Sequence, residues 1–238
     1  MLLGIVDTAI VGRLGEVELG AVGLGNNIYF TVAVLGLGWM LAMDPLVAQA
    51  VGAREPDEAR RVFWQGLWVA VLGTLPLSLI LVAVSFTLGH LGVPSPTATE
   101  VVPYLLARGA GLLPFLMLVA CRSFLQAHEI TRPLLVSVAV ANVLNVPLSY
   151  GLVFGVDAIG FDGYGAAGAG IASTIATIVQ AALLSVSVRA LWGEHRGFRP
   201  IEWSVTRRLL KLGMPIGLQL VAEVGSFAIV GVLMANLG

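Results

Sequence analysis

The chain has 238 residues, of which 58% are hydrophobic and 11% charged, and a formal net charge of -1. An average soluble domain carries about 25% charged residues, so this composition excludes water as the main solvent. The charges lie in short runs between long apolar stretches, which leaves no basic face for nucleic acid. Cys121, the single cysteine, excludes an internal disulfide framework and a cysteine-rich zinc site.

The first dozen residues are apolar apart from Asp7 and lack the basic start and small-residue cleavage site of a signal peptide. A spanning helix needs about 20 residues, so this stretch reads as the outer half of a first helix, truncated at the start of the chain. Six further apolar stretches follow at about 19–43, 62–88, 101–125, 133–155, 165–190 and 209–234. Their interior prolines, Pro76, Pro114 and Pro147, suit membrane helices, and their length excludes a membrane β-barrel.

The basic residues set the orientation. Arg54, Arg60 and Arg61, then Arg122 and Arg132, then Arg189, Arg196, Arg199, Arg207, Arg208 and Lys211 occupy alternate loops, so 53–61, 126–132 and 192–208 are expected in the cytoplasm. The intervening loops carry Arg13 with Glu16 and Glu18, His90 with Glu100, and Asp157 with Asp162. The longest connection, with Pro200 and the tryptophans Trp192 and Trp203, reads as a linker between two bundles. Residues 1–190 form the N-terminal lobe, 191–208 the cytoplasmic linker, and 209–238 a seventh helix that opens a second lobe. An echo supports that boundary: Thr8-Ala9-Ile10-Val11-Gly12 recurs as Phe227-Ala228-Ile229-Val230-Gly231, as a parallel internal repeat of a transporter produces.

Three acids fall in apolar stretches: Asp7, Asp44 and Glu223. An ionisable group at bilayer depth is costly and marks an ion or substrate path. Asp7 and Glu223 fit that role, whereas Asp44 precedes Pro45 near a helix end, where structure explains it better. The echo brings Asp7 into register with Ser226, three residues from Glu223 and on the same helix face. Asn142, Asn145 and Ser149 form one polar stripe, and Ser173, Thr177 and Gln180 a second. Each stripe serves either as a cavity lining or as interhelical hydrogen bonding. Gly163-Tyr164-Gly165-Ala166-Ala167-Gly168 imitates a dinucleotide fingerprint, but no strand precedes it and close helix packing explains it better. No nucleophile, base and orienter set is visible, and no metal site, so an enzyme is not expected.

These residues resemble the multidrug and toxic compound extrusion (MATE) transporters, the NorM-like branch in particular. The resemblance rests on Val6-Asp7-Thr8-Ala9-Ile10-Val11-Gly12, Asp44-Pro45-Leu46-Val47-Ala48-Gln49-Ala50, Ser123-Phe124-Leu125-Gln126, Asn145-Val146-Pro147-Leu148, Gly168-Ala169-Gly170-Ile171-Ala172-Ser173, and Gly213-Met214-Pro215-Ile216-Gly217 with Glu223. It implies an all-α, multi-pass protein of the bacterial inner membrane with twelve helices in two lobes, here the six-helix N-terminal lobe plus one helix. It implies export of organic cations or drugs in exchange for Na+ or H+, with no other cofactor. The expected partners are small cationic substrates and the lipid bilayer, with a monomer as the working unit. Asp7, Asn145 and Glu223 match residues that the family uses for cation coupling or substrate release. Ser149 stands where some members carry a second aspartate, and Ser173 where many carry threonine. The rival readings are a lipid-linked sugar flippase of related architecture, for which only Arg108 lies in a membrane stretch, and a non-functional fragment.

Overall fold

The computed structural model describes residues 2–89, 93–155, 162–192 and 197–237, with the side chains of 2, 3, 5, 6 and 227–237 left out. Nine helices and no strand occur among the described residues: α1 (Leu2–Val11), α2 (Glu16–Leu41), α3 (Met43–Gly52), α4 (Pro56–Thr87), α5 (Ser95–Gly109), α6 (Leu112–Ala127), α7 (Arg132–Phe154), α8 (Ala166–Leu191) and α9 (Trp203–Leu237). Four stretches are long and apolar enough to cross a membrane, and a fifth joins α5 to α6. His90, Asp157 and Arg196 lie outside the described residues, as do the side chains of the echo at 227–231.

Two of the expected single spans are broken. The stretch read as 19–43 extends as α2 and α3 to Gly52, interrupted at Ala42. The one read as 101–125 is two helices that meet at 43°. Proline explains both breaks. A proline has no N–H for the carbonyl four residues earlier; Pro45 therefore leaves Leu41, the last residue of α2, without its bond, and Pro114 does the same for Ala110, where α5 stops. Pro114 accordingly sits in the first turn of α6, not inside a continuous helix. Asp44 lies in the first turn of α3, where a negative charge complements the helix dipole.

The two broken spans end alike. Arg54 and Glu129 each take φ 61°, and the next residues close the turn with Glu55 N–H donating to Ala50 at 2.9 Å and Ile130 N–H to Leu125 at 2.9 Å. This is the helix stop that a left-handed residue permits.

α8 lies at the centre, in contact with α1, α2, α5, α6 and α7. The glycine-rich turn before it makes that packing close. A Cβ on Gly168 would come within 2.2 Å of the Leu152 carbonyl oxygen, and Gly163 has φ +79°, so the fingerprint look-alike is helix packing, as expected. Cys121 is buried, a packing residue. α9 crosses α2 at equal proximity, with a Cβ on Gly38 falling 2.2 Å from Gly217 Cα. Outward, Leu75, Leu79, Phe86, Leu135, Val143 and Val186 are exposed, a surface matched to lipid and costly in water.

Candidate functional site

Where α1, α7 and α8 meet, the two polar stripes face each other across Asp7. Asp7 is buried, 1% exposed. Ser149 Oγ of α7 donates to its Oδ1 at 2.9 Å, and Ser173 Oγ of α8 donates to its Oδ2. Asn145 Nδ2 donates to Ser173 Oγ at 3.5 Å. Because Ser173 gives its proton to Asp7, it can only accept from the amide, which turns Nδ2 toward Ser173 and leaves Asn145 Oδ1 elsewhere. That Oδ1 is buried with no hydrogen-bond partner among the described residues.

Helical spacing produces the convergence. Asn145 and Ser149 are one turn apart on α7 and therefore lie on the same face. Thr177 reinforces the α8 side by donating to the Ser173 carbonyl at 2.8 Å, the ordinary use of a hydroxyl inside a helix.

The remaining expected residues stand apart. Asn142, one turn below Asn145, donates to its own helix at the Val138 carbonyl, 2.7 Å away, and its Oδ1 is also buried with no partner among the described residues. Gln180 is half-buried and Glu223 is exposed on α9. α9 packs against α2 and α4, so Glu223 and Asp7 are not brought together within this chain.

Sequence reasoning singled out Arg108 as a charge in a membrane stretch but did not place it. The Arg108 guanidinium lies 4.2 Å from the centre of the Tyr29 ring, a cation–π contact. Its Nε and the Tyr104 hydroxyl are buried with no hydrogen-bond partner of good geometry among the described residues. The available signal was a lone arginine within an apolar stretch.

Chemically, the cluster is one carboxylate, two hydroxyls and an unfilled amide oxygen, all hard oxygen donors. Such a set suits a proton or a hard cation of single charge. Among the described residues no group of three or more His, Cys, Asp or Glu side chains gathers as a metal site. A cavity of about 700 Å³ opens between α1 and α7, lined by Ala9, Ile10, Arg13, Val146, Pro147 and Tyr150 among others, and none of Asp7, Asn145, Ser149 and Ser173 lines it.

Comparison with known proteins identifies the family and the fold. The MatE family model matches residues 1–151. A probable multidrug resistance protein NorM of Bradyrhizobium diazoefficiens is 34% identical over 96% of this chain and 50% of its own length. The multidrug resistance protein NorM of Vibrio parahaemolyticus is 30% identical over 99% of this chain and 52% of its own. Among solved structures, the eukaryotic MATE transporter AtDTX14 superposes with a TM-score of 0.84 at 21% identity, over 97% of this chain and 51% of that one. The Vibrio cholerae transporter VcmN in its bent form gives 0.78 at 25% identity, over 99% and 53%. The chain spans about half the length of the relatives it matches.

Proposed function

The chain belongs to the MatE family, whose members are transporters and not enzymes, and on that premise we propose that it forms the N-terminal lobe of an antiporter of the bacterial inner membrane. The antiporter exports organic cations in exchange for Na+ or H+. The observation that carries this reading is Asp7, buried between two hydroxyl donors with an unfilled acceptor, Asn145 Oδ1, beside it. A carboxylate in a low-dielectric site is costly when bare and gains from either a proton or a cation. Ion and cargo therefore exclude one another at, or through, the same group. Whichever is bound favours one arrangement of the two lobes.

Glu223 supplies the second acid in this reading. Its exposure on α9 leaves it open to the space between the lobes, where it exchanges an ion for cargo on the far side of the cleft from Asp7.

The test uses vesicles holding the two-lobed transporter, with efflux driven by an imposed Na+ or H+ gradient. Asp7→Asn keeps the size of the side chain and removes its charge; efflux is expected to vanish while the amount of inserted protein stays normal. Wild-type efflux by Asp7→Asn would remove Asp7 from the mechanism. Glu223→Gln is expected to lose gradient-driven efflux while retaining part of its substrate binding, and full efflux would make Glu223 structural. The gradient that drives the wild type identifies the coupling ion.

A further inference from the structure

A second cavity, far along the chain from the Asp7 cluster, lies between α4, α6 and the end of α8. Its volume is about 330 Å³, within the range of small-ligand pockets. Four of its nine lining residues are aromatic. Trp192, just past α8, stands with its ring 5.5 Å from Phe63 at 77° and 5.8 Å from Trp64, and Phe198 stands 5.2 Å from Trp64. Met117 of α6 adds a thioether, and Arg189, exposed in the last turn of α8, adds a positive charge.

One group here is unfinished. The Trp192 indole N–H is buried, in a residue 8% exposed, and has no hydrogen-bond partner among the described residues. A buried donor of this kind normally finds an acceptor, and tryptophan indoles at membrane interfaces commonly meet one in the headgroup layer. The position fits that layer, since Arg60, Arg61, Arg199, Arg207, Arg208 and Lys211 belong to the same end of the helices by sequence.

We propose that this cavity binds an anionic phospholipid of the leaflet that faces the basic loops. The phosphate accepts from the Arg189 guanidinium and the Trp192 N–H, and one acyl chain lies along Phe63, Trp64 and Met117. Charge complementarity selects an anionic headgroup, because basic pockets between helices on the cytoplasmic side recognise such lipids. The apolar wall selects a lipid over a free phosphate, which would leave that surface uncovered. Phe198 precedes the Arg199–Glu202 segment, so a lipid seated here touches both the end of α8 and the inter-lobe linker.

The test is native mass spectrometry of the whole 238-residue chain in detergent, with phosphatidylglycerol and phosphatidylethanolamine of identical acyl chains offered in equal amounts. The wild type is expected to retain phosphatidylglycerol about fivefold better, the factor that one basic residue at an anionic surface corresponds to. Arg189→Gln is expected to bring the two lipids to parity, and the exposed Arg207→Gln, an equal loss of charge elsewhere, to leave the preference intact. Trp192→Phe keeps a ring against Phe63 and removes only the N–H; retention of phosphatidylglycerol is expected to fall about threefold. Equal retention of the two lipids by the wild type would overturn the proposal, as would equal losses from Arg189→Gln and Arg207→Gln. Displacement of the lipid by millimolar inorganic phosphate would reassign the site to a free anion.

Discussion

Two buried polar clusters sit in this chain, and they differ in what they leave unfinished. In the third turn of α4, Gln65 is 0% exposed and both of its polar atoms are partnered. Its Nε2 donates to the Pro200 carbonyl at 3.0 Å, and its Oε1 accepts from Glu202 N–H at 2.8 Å and Thr206 Oγ1 at 3.0 Å. Trp68 adds an indole N–H to the Arg199 carbonyl at 3.2 Å, and Arg61 a two-pronged contact to Glu202 at 2.9 and 2.6 Å. Around Asp7 the polar atoms are equally buried, yet among the described residues Asn145 Oδ1 has no partner and no ion pair reaches the Asp7 carboxyl. A satisfied cluster holds a segment in place. An unsatisfied one is stabilised further by whatever fills it, and that makes exchange possible.

The contrast breaks first at function. Asp7→Asn should abolish efflux while leaving the linker cluster and membrane insertion untouched, so an intact pattern of linker protease protection in the inactive variant is part of the expected result. Next in size is Gln65→Leu, which strands an N–H, a hydroxyl and a carbonyl at once. At about 1 kcal/mol or more for each lost partner, a loss of about 3 kcal/mol is expected, read as a lower Tm and faster cleavage between Gly197 and Glu202. Unchanged stability would show that the linker is not held through Gln65.

Asn145→Ala is expected to do the reverse. It removes one long hydrogen bond of 3.5 Å and an oxygen that was already unpaired, so stability should change by less than about 1 kcal/mol while efflux falls at least tenfold, about 1.4 kcal/mol in coupling. A large drop in Tm with normal efflux would make Asn145 a packing residue and erase the distinction.

The smallest effect belongs to the Arg61–Glu202 pair, in which each side chain is 33% exposed and the expected contribution is below about 1 kcal/mol. The hydrogen bond from Arg61 holds the Glu202 carboxyl below the usual glutamate range. A lowered acid stabilises the fold fully above its unfolded value, near 4.3, and loses that contribution as pH falls through the folded one. Hydrogen exchange at 201–206 should therefore be flat from pH 8 to about 5, after correction for intrinsic rates, and rise below about 4. Glu202→Gln should remove that rise.

Much of the membrane-spanning fold was legible because hydropathy and length report it directly. The two polar stripes were legible from helical spacing, but that they meet each other, with Asn145 bonded to Ser173, was not, because spacing along one helix does not say which helix is its neighbour. The breaks at Ala42 and Ala110 were not read, because a hydropathy window measures solvent preference and is blind to the missing N–H of Pro45 and Pro114. The Gln65 cluster was hidden for a different reason. A lone glutamine near the start of an apolar helix has no periodic signal, and its partners lie more than 130 residues later. Arg108 was noticed as a charge in the wrong solvent, but its place over the Tyr29 ring depends on how α2 and α5 pack, which no local pattern encodes.

The crossing of α2 and α9 restricts how this protein can change over generations. At Gly38 the smallest addition chemistry allows, one methyl group, would land 2.2 Å from the Gly217 backbone, and at Gly217 it would land 2.7 Å from the Leu35 carbonyl oxygen. Neither obstacle is a side chain that can swing aside. The separation of the two helices therefore cannot drift by small substitutions at these positions: every alternative letter of the amino-acid alphabet displaces a whole helix, so variation must accumulate around the crossing and not in it.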